Sequence, residues 1–197
     1  MTTKLIALPL ALSLGACQVR QVDTVDRTLP ANEIQRLLIN TEQGYLDIEG
    51  VPGLQDIDVH ISLVAPEFTT KREARDDLQF RLEDRGNGDA ILRVESEDLT
   101  HADVYLAVPE WLDVDIIDGS GAIDVRGVNS VIIDDGSGEI TVRDIETDVE
   151  IKDGSGDLTV RNVRGKVVID DGSGDISVHN VGDLRLGDTG SGDVQVF

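Results

Sequence analysis

The chain has 197 residues and a mass of 21.3 kDa, room for one domain or one domain and a tether, and carries 39 acidic against 17 basic residues for a formal charge of −22. That balance excludes sequence-independent binding of nucleic-acid phosphate, which needs clustered Lys and Arg, and an apolar content of 40% excludes an acidic disordered tail. Only 3% of the residues are aromatic, so a core must come from Val, Ile and Leu, and the 20 glycines favour strands and tight turns over helices.

Residues 1–17 read MTTKLIALPLALSLGAC: one cation at Lys4, an apolar run from Leu5 to Leu14, then small residues. This is the layout of an export signal and is too short to span a bilayer. The run closes on Leu14-Gly15-Ala16-Cys17, which resembles the lipobox of bacterial lipoproteins. The resemblance implies that residues 1–16 are removed, that the Cys17 thiol carries a diacylglyceryl group and that the new amino terminus is acylated. The alternative is an ordinary signal peptide with an incidental Cys. Two or three acyl chains would hold the chain stably on a membrane. Gln18, where retained lipoproteins have Asp, implies by the same resemblance the outer membrane. With a single Cys no disulfide forms within the chain. Cleavage removes one cation and leaves −23, a body that anionic headgroups repel. Residues 17–32, polar as far as Pro30, therefore read as the lipidated Cys and a tether.

The body is expected over residues 33–197. Leu37, Ile39, Gly44, Leu46, Ile48 and Val51 keep the relative spacing of Val149, Ile151, Gly156, Leu158, Val160 and Val163 further on, so an early coil is expected there. Ile57, Val59, Ile61 and Leu63 alternate as a strand. Thr69-Thr70-Lys71-Arg72-Glu73 opens a short helix to about Leu78. Phe80–Leu82 and Ile91–Val94 flank the turn-rich Asp84–Asp89 as a hairpin. Residues 65–103 thus form an inserted, irregular α+β excursion. Val104–Val108 leads through Pro109-Glu110-Trp111 to the repeats, with Trp111 and the excursion covering the first coils.

The C-terminal half is periodic. Its turns read DGSGAIDV, DGSGEITV, DGSGDLTV, DGSGDISV and TGSGDVQV, with serines at 120, 137, 155, 173 and 191, spaced 17, 18, 18 and 18. Apolar residues alternate after each turn (Ile140 and Val142, Leu158 and Val160) and before it (Val131 and Ile133, Val149 and Ile151). Period-two alternation means strands with one buried face. Two strands per 18 residues without a helical spacer exclude a βαβ unit. The expected fold is all-β: a parallel β-solenoid, or β-helix, of about 18 residues per coil whose stacked rungs share one aliphatic column. An early G-x-L-x-I-x-G strand, a middle insert, V-x-L-x-V-P and tandem G-S-G-[DE]-[IL]-x-V turns, over about Ile34 to Phe197, resemble the "putative adhesin" domains of unknown function found in bacterial surface proteins and lipoproteins. That resemblance implies a β-helix-like fold and brings no catalytic residues.

Two columns carry candidate chemistry. Asp118, Asp135, Asp153 and Asp171 precede the Gly-Ser-Gly turns, and Glu139, Asp157, Asp175 and Asp193 follow them. Stacked about 4.8 Å apart, such carboxylates repel by roughly 1 kcal/mol per neighbouring pair in water. Either Ca²⁺ offsets this, with Asp118, Asp135, Asp153 and Asp171 as candidate ligands, or the acids cap turn amides and water screens them. The Ca²⁺-binding nonapeptide pattern itself does not fit. Arg126, Arg143, Arg161 and His179 form a basic column able to face acidic polysaccharide or phosphate, or simply to neutralise nearby carboxylates.

Enzyme signals are poor. Asp188-Thr189-Gly190-Ser191 matches an aspartic-protease tetrad but occupies the place of an ordinary repeat turn. His60, His101 and His179 lack metal-ligand spacing, and no G-x-S-x-G elbow exists. The expected protein is a non-enzymatic envelope lipoprotein, without cofactor, that presents a rigid acidic surface for adhesion or protein interaction. Alternatives are a carbohydrate- or Ca²⁺-binding module and an envelope-stress accessory. Expected partners are the membrane through the lipid anchor, a protein or polysaccharide, and a second copy at the C-terminal edge around Phe197.

Overall fold

The computed structural model describes residues 19–96 and 101–197; the signal sequence, the lipobox and Cys17 lie outside the described residues. The elements, in chain order, are β1 (Val19–Pro30), β2 (Arg36–Thr41), β3 (Leu46–Val51), β4 (Asp56–Pro66), α1 (Lys71–Asp77), β5 (Leu78–Asp84), β6 (Asp89–Ser96) and β7 (His101–Pro109). The repeats then supply β8 (Asp113–Asp118), β9 (Ile123–Arg126), β10 (Ser130–Asp135), β11 (Ile140–Ile145), β12 (Val149–Asp153), β13 (Leu158–Asp171), β14 (Ile176–Leu186) and β15 (Val194–Val196).

The fold is all-β and solenoid-like, one 15-stranded sheet dominated by parallel pairs. The pre-turn strands stack as one wall, where Val114, Val131, Val149 and Val167 pair in register. The post-turn strands stack as the other, where Ile123, Ile140, Leu158 and Ile176 do the same. These eight side chains are all buried and line one aliphatic core. Each rung buries its inward row only against its neighbours, which is why the repeat is needed. The early coil is present as expected: Leu37 pairs with Val114 and Leu46 with Ile123.

The Gly-Ser-Gly turns fit because the backbones nearly touch. Gly156 has φ +147°, and a Cβ there would sit 1.7 Å from the Gly138 carbonyl oxygen of the rung below. At the opposite corner the left-handed conformation passes from Gly127 (φ 71°) to Asp144, Asn162 and Asn180 (φ 59°, 54°, 52°). There Asn162 Nδ2 donates to Asp144 Oδ1 at 2.8 Å and Asn180 Nδ2 to Asn162 Oδ1 at 2.9 Å. Short amide and carboxylate side chains tolerate this region and bond to one another up the stack.

Three expectations change. The segment read as a tether is β1, a 12-residue strand paired antiparallel with β4 from Val19↔Pro66 to Pro30↔Asp56. Its Val22 and Val25 are buried. The excursion is less irregular than expected, since β6 stacks parallel on β2 and β7 on β3, adding a rung outside the early coil. The chain therefore fills the second rung first, returns to build the outermost one, and only then enters the repeats. Beyond that rung, β4 pairs antiparallel with β7, and the β5–β6 hairpin forms as expected. Leu112 rather than Trp111 plugs the passage into the repeats: it is fully buried, whereas Trp111 is exposed. The short helix forms as expected and opens on a capping box, Thr70 and Glu73 each bonding the other's backbone N–H.

Candidate functional site

The acidic column divides into two populations with different chemistry. Asp118, Asp135, Asp153 and Asp171 pair in register along the pre-turn wall and point inward, each more than nine-tenths buried. Asp153 Oδ1 accepts the Ser155 N–H and Asp171 Oδ1 the Ser173 N–H, both at 3.1 Å. This is the turn-capping geometry. A second oxygen of Asp118, Asp153 and Asp171 is buried without a partner, and Asp135 has only weak bonding from the Gly136 and Ser137 amides. Burial, first of all, holds all four above the ordinary carboxylate value. Asp135, flanked by Asp118 and Asp153, is pushed up to about 6. The acids after the turn are exposed, and two of them bond the next rung: Asp175 N–H donates to Asp157 Oδ1 at 3.1 Å and Asp193 N–H to Asp175 Oδ1 at 2.9 Å. Among the described residues no three acidic or imidazole groups gather as metal ligands. The inner column is suited to taking up protons between stacked carboxyls.

The basic column forms side by side, Arg126, Arg143, Arg161 and His179 pairing in register. Its members differ in how committed they are. Arg126 bonds Asp47 and, at 2.8 Å, Glu49 Oε2. Arg143 reaches Asp124 Oδ1 at 3.2 Å, and Arg161 makes no ion pair among the described residues. His179 takes a 2.9 Å hydrogen bond with Ser177 Oγ and stacks on Phe197, ring centroids 4.4 Å apart. Half of this column is thus spent on neutralising carboxylates.

A further surface went unseen in the residue pattern. On the outer face of the pre-turn wall, Ile117 is 59% and Ile132 46% exposed. With Leu38 and Ile91 they line a shallow depression of about 400 Å³. The register sets them together: Leu38 pairs with Ile91 and Asp115, Ile132 with Asp115, and Ile117 with Asn40 and Asp134. The available signal was the doublets Ile116-Ile117 and Ile132-Ile133, where strict alternation calls for a polar residue at the outward place.

On the other wall, beside β7, both tyrosines of the chain meet, Tyr45 and Tyr105 with ring centroids 5.9 Å apart, and His60 lies 6.0 Å from Tyr105. Asp47, Glu49, Asp58 and Arg126 line the same cleft as Tyr105 and His60.

No curated protein is significantly similar to the chain. Among solved structures, a putative cell adhesion protein from Clostridium sporogenes matches with a TM-score of 0.51 at 13% identity, over 89% of this chain and 100% of that one. A putative adhesin from Parabacteroides distasonis matches with a TM-score of 0.45 at 15% identity, over 89% and 82% respectively. The first of these likenesses shows a shared fold. The family model described as Toastrack DUF4097 matches residues 20–197, from the start of β1 to the last rung, and the chain belongs to that family.

Proposed function

We propose that the protein is a non-enzymatic cell-envelope lipoprotein, held by acyl groups on Cys17 at the outer membrane, whose stacked rungs of about 18 residues present a rigid face to a protein partner. The observation that carries this reading is the apolar depression of Leu38, Ile91, Ile117 and Ile132 on a wall whose other outward residues are mostly polar. Exposed aliphatic clusters rimmed by polar residues mark interaction surfaces. Asp115 and Asp134 stand among the aliphatic residues, and a chain of charge −22 repels a second copy of itself. The fitting partner therefore offers aliphatic side chains flanked by Lys or Arg. A photo-crosslinking residue at Ile132 should give a discrete in-cell adduct, lost when Ile117→Asp is added. The same residue at Thr159, outward on the opposite wall, should give none; equal labelling from both positions would refute the assignment.

Carbohydrate binding is the second reading, supported by the Tyr45–Tyr105–His60 cluster beside Asp47, Glu49 and Arg126. Aromatic faces stack on sugar rings, and carboxylates and Arg bind hydroxyl groups. Saturable glycan-array binding abolished by Tyr105→Ala would establish it.

A further inference from the structure

The corner of the molecule nearest Cys17 differs from the rest of the surface. β1 starts at Val19, so Cys17 lies two residues, at most about 7 Å of chain, from the folded body. A lipid on Cys17 leaves no room for a long spacer, and the body must meet the membrane directly. Val19 pairs with Pro66 at the end of β4. The chain turns immediately beyond, at Glu67 and Phe68, closed by the Thr69 N–H donating to the Pro66 carbonyl at 2.9 Å. Phe68 is 80% exposed at the tip of that turn and Val19 is 57% exposed beside it. Phe68 and Val19 together make a small apolar tip at this corner, a shape that an apolar phase can receive.

The charges around this corner also depart from the average. Arg20, Lys71, Arg72 and Arg75 gather here. Arg75 and Lys71 both reach Asp23, and Arg72 lies 3.6 Å from Asp76 with most of its side chain in solvent. Glu73 is occupied by the helix cap. Among the described residues here these four cations stand against Asp23, Glu67, Glu73, Asp76 and Asp77, so the corner has a balance of −1, whereas the whole chain stands at −22. It is a place where this acidic body can approach anionic headgroups without strong repulsion.

We propose that this corner is a membrane seat: with Cys17 anchored, Phe68 and Val19 enter the boundary between headgroups and acyl chains, and Lys71 and Arg72 meet lipid phosphates. The inference rests on the lipid-anchored reading above and adds an orientation to it. β1, β4 and β7 then run away from the bilayer, with Trp111, just past the end of β7, about 25 Å or more from the corner.

The chain's single thiol allows a test in which the anchor is imposed chemically. The mature chain is coupled through Cys17 to a maleimide lipid in vesicles of phosphatidylethanolamine and phosphatidylglycerol, with lipids bearing quenchers at shallow acyl depth. In a W111F background, the F68W chain should lose about half or more of its emission, as expected for a ring ~5–10 Å into the interface. Wild-type Trp111 should be unaffected. Unquenched F68W emission, or equal quenching at both positions, would overturn the seat. Because coupling supplies the anchor, neither outcome depends on native lipidation. The anchor itself stands or falls separately, on whether Cys17→Ala releases the protein from cell membranes.

Discussion

At the scale of single residues, the most consequential side chain is Asp135. A repeating Asp before each turn is plain in the sequence, and so, in retrospect, is its direction: Asp135 stands two places after Ile133, and period two puts both on the core face. What the residue pattern does not carry is that Asp153 and Asp171 each cap a Ser amide at 3.1 Å, whereas Asp135 is bonded only weakly by its turn and stands between two further buried carboxyls. A carboxyl whose pKa is higher folded than unfolded binds its proton preferentially in the folded state. For Asp135, raised from the ordinary value to about 6 by burial and then by Asp118 and Asp153, this contribution is fully present below about pH 4 and is lost as pH rises to about 6. Asp23 behaves oppositely. The Arg75 hydrogen bond, followed by that of the Thr24 backbone, holds it low, so its contribution is present above the ordinary carboxylate range and fades only below it. The two windows are therefore separate. Asp135→Asn, whose amide can donate to the carboxylates on either side, should stabilise the fold at pH 7 by on the order of 2 kcal/mol and flatten the stability profile between about pH 4 and 6. Urea unfolding across that range decides it, and a slope in Asp135→Asn equal to that of the unsubstituted chain would show that the column does not titrate as described.

At the scale of elements, the repeats were legible because inward aliphatic residues recur two apart, and the structure pairs them in the register that the spacing implies. β1 was not legible, for an identifiable reason. Its inward residues are Val22, Val25 and the partly buried Leu29: the first gap is three because the register with β4 shifts between Gln21 and Asp23, and the second is four because the exposed Arg27 stands at the place between. A bulge moves the phase of alternation, and a strand containing one reads as polar coil. The additional rung from β6 and β7 carries no sequence signal for a different reason: the chain builds it out of sequence order, and parallel stacking of distant segments leaves no fixed period. If β1 is an integral strand, Val25→Ala should cost about 2 kcal/mol, the loss expected for a buried aliphatic side chain. If residues 17–32 were a tether, the substitution would be silent. A shift in the midpoint of chemical unfolding separates the two.

At the scale of the whole molecule, stability should follow position in the stack, because each rung touches only its neighbours. Val142, Val160, Val178 and Val196 form one inward column, in register through β11, β13, β14 and β15. Val160 is fully buried between two rungs, whereas Val196 has a rung on one side only and is 56% exposed. The same truncation along one column therefore reports how well each end is covered. Val160→Ala should cost about 2 kcal/mol and Val196→Ala no more than about 0.5 kcal/mol in the isolated monomer. The His179–Phe197 stack lies one residue further along this edge and leaves Phe197 largely exposed. If a second copy docks end to end there, Val196 becomes interior, and its truncation cost should rise towards that of Val160 as protein concentration increases. Unfolding measured over a wide concentration range reads both quantities at once. A concentration-independent difference between the two variants assigns the edge to solvent, and a converging pair assigns it to a second chain.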